Sequence, residues 1–359
     1  EVSVMENRSL AQKPELTWEG LGSGRYMQQY ETWLSDQFVG RDFWVQLKTF
    51  ADSAGGKKEE NGVFHGKQGM LLEDIAVPEE KALQENLDAM KTYQEQYSDL
   101  NMHVLLVPNA AEIQSDRLPA FAVTADQSAL LAQVQEELGT GFDWIDAGST
   151  LEDHKDEEIY YHTDNHWTTL GAWYAYEAYA QSRGLAYGSL EEMEAWKQAV
   201  PDFYGTYFSK SKNFDAQPDT IYWYDFPVTD VTVDGKYTLP TSDGGEIPVE
   251  GMYNVSQFSQ RDKYAAFLYG NNGLTVIKSV NNKNHQDGVT SRVLLIKDSY
   301  GNSLAPFLTW SYDEVYVVDL RALPMTMSQL LEQTEFDDVL ILYNYESFQL
   351  DRNVVRLIA

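Results

Sequence analysis

Five short, almost wholly apolar runs constrain this chain more than any other feature: Met102–Val107, Phe142–Ile145, Val293–Ile296, Val315–Val318 and Val339–Leu342. Turn residues bound them, as where Pro108 follows the first and Asp146 with Gly148 the second, and helical patterns at 124–138, 301–310 and 325–333 lie between. A strand that is apolar on both faces must be covered on both sides, and the intervening helices supply that cover. The alternation predicts an α/β domain on about five parallel strands. A long helix from Pro78 to about Leu100 leads into the first strand, and another, from near Thr168 to Gly184, follows the second.

The rest of the chain departs from this pattern. Residues 25–52 place Tyr26, Tyr30, Trp33, Leu34, Phe38, Phe43 and Leu47 at three- and four-residue steps, which predicts two helices parted at Gly40 with apolar faces turned to a core. Gly62–Leu72 reads as a hairpin. Residues 202–290 carry short β-type runs (IYWY, VTVDGKYTLP, YAAFLYG, LTVIKSV) punctuated by Asp234-Gly235, Asp243-Gly244-Gly245 and Asn272-Gly273. The expected organisation is an N-terminal arm and hairpin (1–75), a first α/β part (76–201), a β-rich insertion or lid (202–290) and a second α/β part (291–359).

Composition excludes several classes of function. With 26 Lys and Arg against 56 Asp and Glu the net charge is −30, so no basic surface is available to neutralise a run of phosphates, and nucleic acid is not an expected partner. The same charge opposes an anionic membrane surface and argues mildly against a polyanionic glycan, so a neutral or amino-sugar polymer fits better. Cysteine is absent, which leaves oxygen and imidazole to carry the chemistry, with no cofactor or metal expected. The chain opens on Glu1, so an upstream signal peptide or membrane anchor, removed by processing, is expected.

Two constellations can carry chemistry. In His162-Thr163-Asp164-Asn165-His166-Trp167 the side chains of His162, Asp164 and His166 share a face if the segment is extended, so the carboxylate can hold an imidazole in one tautomer. The same spacing suits a divalent ion, although His65, His103, His154 and His285 have no matching spacing. Alternatively, Asp164 or Thr168 caps the following helix and His166 packs beside Trp167. The second constellation, Lys297-Asp298-Ser299-Tyr300-Gly301, places the Ser299 hydroxyl where a buried strand runs into a helix, at the edge of a parallel sheet where clefts form. A simple helix cap is its alternative reading.

Taken together, the motifs resemble the DHHW family, bacterial extracytoplasmic proteins similar to the alginate O-acetyltransferases AlgJ and AlgX in the SGNH hydrolase-like superfamily. The resemblance rests on Glu6-Asn7-Arg8 and Leu10, the stretches 35–42 and 62–67, and Val107-Pro108. It rests above all on Thr163 to Trp167, Lys297 to Gly301 and Val318 to Arg321, in that order. It implies that Ser299 is the nucleophile, His166 its general base and Asp164 the residue orienting the imidazole. Arg321 matches a position that helps stabilise the oxyanion, Asn344 after the last strand is a candidate further donor, and Trp167 and Tyr300 count as substrate-side residues. Trp173, Tyr174, Trp223 and Tyr224 are further candidates for sugar stacking, although aromatics at helical spacing more often belong to a core.

Asp-x-His precedes the serine by more than a hundred residues, a circularly permuted order relative to ordinary SGNH hydrolases, whose separate Gly and Asn blocks have no clear counterpart. The expected function is acetyl transfer to a cell-surface polysaccharide through an acetyl-serine, or acetylesterase activity if water is the acceptor. A non-catalytic glycan-binding or assembly subunit is the competing reading. The expected partners are the polysaccharide and a membrane-bound acetyl-transfer component, and the expected location is extracytoplasmic, secreted or anchored at the cell surface.

Overall fold

The computed structural model describes the chain except for Glu1, Val4, Met5, Asn7, Pro78, Phe214 and Asp215, so the readings of Asn7 and Pro78 lie outside the described residues. Seven strands form the central sheet: β1 (Asn101–Val107), β2 (Asp143–Trp144), β3 (Val228–Val233), β4 (Leu274–Ser279), β5 (Arg292–Lys297), β6 (Glu314–Val318) and β7 (Asp338–Asn344). Their order is β3-β4-β6-β5-β7-β1-β2. The five strands expected from the apolar runs are mutually parallel, and β5 pairs with both β6 (Leu294 with Tyr316) and β7 (Leu294 with Val339). The fold is thus α/β on a mostly parallel sheet.

The alternation along each strand divides the core in two. Leu105, Val107, Val293, Leu295, Leu340 and Leu342 point to one face, with the helices α3 (Ala147–Asp153), α4 (Thr169–Arg183) and α5 (Gly301–Leu308). Val104, Leu106, Leu294, Ile296, Val339 and Ile341 point to the other, where α1 (Glu80–Gln96), α2 (Gln127–Leu138), α6 (Met327–Gln333) and α7 (Tyr345–Leu350) cover them. Helix α4 is framed as the sequence predicts. Thr168 caps its start by accepting from the Gly171 N–H, and Gly184 ends it in the left-handed conformation. Among the described residues no helix is long and apolar enough to cross a membrane.

Three regions differ from expectation. First, β3 and β4 come from the 202–290 segment and extend the main sheet, with β4 antiparallel to β6 and β3 antiparallel to β4. They pair an edge that β6 would otherwise expose. Second, the run YAAFLYG is no strand, because Tyr264–Ala266 is a 3-10 turn and Leu268 and Tyr269 both have positive φ, 51° and 60°.

Third, the N-terminal helices Arg25–Asp36 and Arg41–Ala54 are parted at Gly40 as expected, but Leu34, Phe38, Phe43 and Leu47 are exposed rather than in a core. What turns inward is polar. Asp36 accepts from Arg8 at 2.6 Å, Arg41 pairs with Glu6 at 2.6 Å, and Lys212 reaches Glu6 at 2.9 Å. The arm is therefore attached through ion pairs where an amphipathic pattern suggested apolar packing.

Gly171 tests how tightly α4 is seated. A Cβ there would lie 2.4 Å from the Ile159 carbonyl oxygen and 3.2 Å from Trp167 Cβ. Gly171→Ala should lower stability by about 1–3 kcal/mol in urea unfolding, the usual effect of overpacking. An unchanged midpoint would show that the contact between α4 and the 159–167 segment is loose.

Candidate active site

The C-terminal ends of the parallel strands gather the residues singled out in the sequence. Strand β5 ends at Lys297 and leads through Asp298 and Ser299 to α5, so Ser299 stands half-buried on the sheet edge. Asp298 is buried, and its carboxylate accepts from the N–H groups of Tyr300 and Asn344, each at 2.9 Å. Burial raises its pKa, and those two hydrogen bonds act against the shift. Asp298 thereby ties the turn after β5 to the end of β7. The turn leaves the Ser299 N–H without an intramolecular partner among the described residues.

The 162–166 loop reaches the same edge from the other part of the chain. His166 Nε2 lies 2.8 Å from Ser299 Oγ, and His166 Nδ1 lies 2.5 Å from Asp164 Oδ1. Nδ1 therefore carries the proton donated to the carboxylate, and Nε2 accepts from the serine hydroxyl.

Asp164 also accepts from the His166 N–H at 3.1 Å, and its Oδ2 from the Thr206 N–H at 2.7 Å and Thr206 Oγ1 at 3.2 Å. Burial works to raise the Asp164 pKa, but the charge of His166 and these hydrogen bonds prevail and hold it below the ordinary carboxylate value. A serine hydroxyl, an imidazole and an ionised carboxylate thus stand in one hydrogen-bonded line.

His162, the other candidate imidazole, faces different partners: its Nε2 is 3.2 Å from Arg117 Nη1 and 3.1 Å from Glu158 Oε2. Among the described residues no group of three or more His, Asp and Glu side chains is arranged to hold a metal ion.

Other expected site residues are placed differently. Trp167 is buried, and its indole N–H donates to Tyr300 O at 3.1 Å and Ser303 Oγ at 2.9 Å, so it packs the loop onto α5 and is not a substrate surface. Tyr300 is buried and donates to Asn165 O at 2.5 Å, a second tie between loop and serine turn. Trp173, Tyr174, Trp223 and Tyr224 are core residues. The amide of Asn344 is engaged at both ends: Oδ1 caps α7 by accepting from Glu346 and Ser347 N–H, and Nδ2 donates to Asn109 Oδ1 at 2.8 Å. Arg321 forms a fork on Asp319, with Nε at 2.8 Å from one oxygen and Nη2 at 2.6 Å from the other, and Asp319 also pairs with buried Lys297. Arg321 and Lys297 together hold the ends of β6 and β5.

Three residues that the sequence reading passed over shape this site. Tyr264 stacks on the His166 ring at 3.8 Å between centroids and 15° between planes, and its hydroxyl donates to Ser299 O at 3.0 Å. Asp219 accepts from the N–H groups of His162 and Thr163 at 2.8 and 2.9 Å and from Thr163 Oγ1 at 2.6 Å, pinning the loop from behind. Gly205 lies so close to Asp164 that a Cβ would fall 2.1 Å from the Asp164 Cβ. Gly205 is required by this close approach, and its signal, a glycine before Thr206, is invisible until Asp164 is known to sit against it.

The site can be compared with known proteins. Residues 144–318 match the family model of DHHW proteins, and residues 64–201 match the model of the SGNH hydrolase-like domain of acetyltransferase AlgX. A DHHW family protein from Eubacterium siraeum superposes with a TM-score of 0.64 at 23% identity, covering 82% of this chain and 97% of that one. Bacillus cereus PatB1 with a sulfonyl adduct superposes with a TM-score of 0.63 at 19% identity, covering 81% and 97%. At these identities the likeness establishes the fold. A comparison with curated proteins finds no match.

The same sheet edge carries a carboxyl pair. Glu346, on the first turn of α7, is pushed up to about 7 by burial and then by the carboxylate of Glu73, with Lys210 acting the other way. An acid whose folded-state pKa lies above its ordinary value of about 4.3 holds its proton more tightly when folded, so this group's contribution to stability declines as pH rises between the two values. Glu346 should make urea midpoints fall between about pH 4 and 7 in the wild type, and Glu346→Gln should flatten that decline. Parallel pH profiles for the two proteins would remove Glu346 as its source.

Proposed function

We propose, on the premise that this chain resembles the DHHW proteins and matches their model over residues 144–318, that it is an O-acetyltransferase acting through an acetyl-serine intermediate. The observation that carries the reading is the line from Ser299 Oγ to His166 Nε2, at 2.8 Å, and from His166 Nδ1 to Asp164. The acetyltransferase description of the model matching residues 64–201 supports the choice of group transferred.

Serine is a weak nucleophile at its own pKa and needs a base within hydrogen-bond reach. In the first half-reaction Ser299 Oγ attacks the acetyl carbonyl of the donor as His166 Nε2 takes its proton. Asp164 stabilises the imidazolium that forms. The Ser299 N–H, beside the start of α5, donates to the oxyanion of the tetrahedral intermediate. Collapse of the intermediate expels the donor's alcohol, which leaves with the proton held by His166. In the second half-reaction His166 removes a proton from a sugar hydroxyl, that oxygen attacks the acetyl carbon, and Ser299 leaves and recovers its proton. Water in place of the sugar makes the same site an acetylesterase.

Asp219, Gly205 and Tyr264 act through the triad, keeping the loop, the carboxylate and the imidazole in place. The acceptor is a cell-surface polysaccharide, the location extracytoplasmic, and the donor side is served by a membrane-bound acetyl-transfer component.

A sulfonyl fluoride, the reagent class matching the adduct on PatB1, should label Ser299 and no other serine. Ser299→Ala should abolish labelling and lower turnover of a chromogenic acetyl ester on the order of 1000-fold or more, with stability unchanged within about 1 kcal/mol. Labelling at another serine would remove Ser299 from its role.

Asp219→Asn keeps the shape but weakens the charge-assisted hold on His162 and Thr163, so ester turnover should fall about 10-fold or more while Ser299 remains the labelled residue. Full activity in that variant would show that the loop is held without Asp219.

A further inference from the structure

The described residues hold several cavities, and their positions relative to Ser299 separate them. One of about 700 Å³, between Leu100, Thr290, Arg292 and Phe336, lies at the N-terminal ends of β1, β5 and β7, the edge opposite to the site. The cleft of about 900 Å³ within residues 234–272 is different, because Arg261 and Asp262 line it and Tyr264, two residues on, stacks on His166. Asp262 Oδ1 accepts from the Ala265 N–H at 3.4 Å, so this wall of the cleft runs directly into the turn that lays Tyr264 on the His166 ring.

Its walls have a distinct chemistry. Side-chain amides of Asn254, Gln257, Gln260 and Asn272 line it together with the Tyr269 ring. Its charges nearly cancel, with Asp234, Asp243 and Asp262 against Lys236 and Arg261. Tyr269 is held at a cost in backbone conformation. It and Leu268 are consecutive non-glycine residues with positive φ, and Asn272 Nδ2 holds the turn by donating to the carbonyls of Leu268 at 2.9 Å and Tyr269 at 3.2 Å. Backbone strain of this kind is retained where the surroundings enforce it, and it concentrates at functional surfaces. Here it fixes the one aromatic ring in the cleft wall.

We propose that this cleft is the acceptor subsite and that it binds a neutral, hydroxyl-rich oligosaccharide chain whose reactive hydroxyl is delivered past Asp262 to Ser299. With Asn254 Oδ1, Gln257 Nε2 and Asn272 Nδ2 engaged within the chain, the Gln260 amide, Asn254 Nδ2 and Gln257 Oε1 supply the donors and acceptors for sugar hydroxyls, a tyrosine ring offers an apolar face to a pyranose, and a volume of about 900 Å³ accommodates several sugar rings. A polyuronate would meet three carboxylates and only two cations within a chain of net charge −30, which disfavours it. The inference rests on the acetyl-transfer reading for its meaning, but binding in the cleft can be measured without any acetyl chemistry.

The test uses the full chain carrying Ser299→Ala and isothermal titration with four probes: the hexasaccharides of β-1,4-glucan, β-1,4-N-acetylglucosamine and β-1,4-xylan, and a hexamannuronate. At least one neutral hexasaccharide should bind. Adding Gln260→Trp, which fills the cleft from an exposed position, should weaken it 10-fold or more, and Gln260→Ala should weaken it in the same direction. Circular dichroism and the urea midpoint report whether the two variants fold. If Gln260→Trp does not fold, Gln260→Ala decides. The proposal is overturned if none of the neutral hexasaccharides binds, if binding is untouched by the Gln260 variants, or if the hexamannuronate binds more tightly. Failure of sulfonyl labelling at Ser299 would instead sink the acetyl-serine reading and leave the binding result standing.

Discussion

A carboxylate taken out of water has to be surrounded by donors, and in this protein that requirement falls on Asp164. Two of its hydrogen bonds come from His166, close in sequence, and two come from Thr206, some forty residues further on. The 203–208 segment must therefore lie against the 162–166 loop. That proximity is only reachable because Gly205 has no side chain to collide with Asp164. Thr163 binds the same segment, accepting from the Gly205 N–H and, through its carbonyl, from Phe208 N–H. The His166 ring inherits its orientation from this arrangement, since one nitrogen is committed to Asp164 and the other is left pointing at Ser299.

The serine side is positioned by a different device. The ends of β5, β6 and β7 are bound together by groups that would be unfavourable if left alone at such depth: Lys297 with Asp319, and Asp298 with the amides of Tyr300 and Asn344. Each buried charge is compensated by a partner from the neighbouring strand end, so the turn carrying Ser299 moves only if the sheet edge moves. The 202–290 segment closes the arrangement. It adds β3 and β4 to the sheet and between them carries Tyr264 over the His166 ring, where the phenol also reaches Ser299 O. The N-terminal arm joins the same assembly through Glu6 and Lys212, just past the helix Thr206–Ser211 that supports Asp164.

Much of this was legible before any coordinates. The five parallel strands, the helix capped by Thr168, the break at Gly40 and the position of Ser299 at a strand end all follow from local patterns. Local patterns also misled. Aromatic residues in Tyr264–Tyr269 imitate a strand, although Leu268 and Tyr269 take backbone conformations that no strand allows. The apolar stripe of the N-terminal helices implied burial, while the inward face carries Asp36 and Arg41. Trp167 and Tyr300 adjoin the motifs and Asn344 follows the last strand, but position in the sequence does not decide orientation, and all three hold the framework together.

Sequence by itself determined which residues could form strands, which faces those strands would bury, and that Asp164, His166 and Ser299 had the chemistry of a relay. Periodicity and side-chain type are properties of neighbouring residues, and they survive in a one-dimensional record. Only the tertiary structure decided that the relay is assembled, that Asp219, Gly205 and Tyr264 support it, and that an amide-lined cleft opens within residues 234–272. Those contacts join segments separated by tens of residues, and their formation depends on the path of the whole chain around the sheet, which no local pattern encodes.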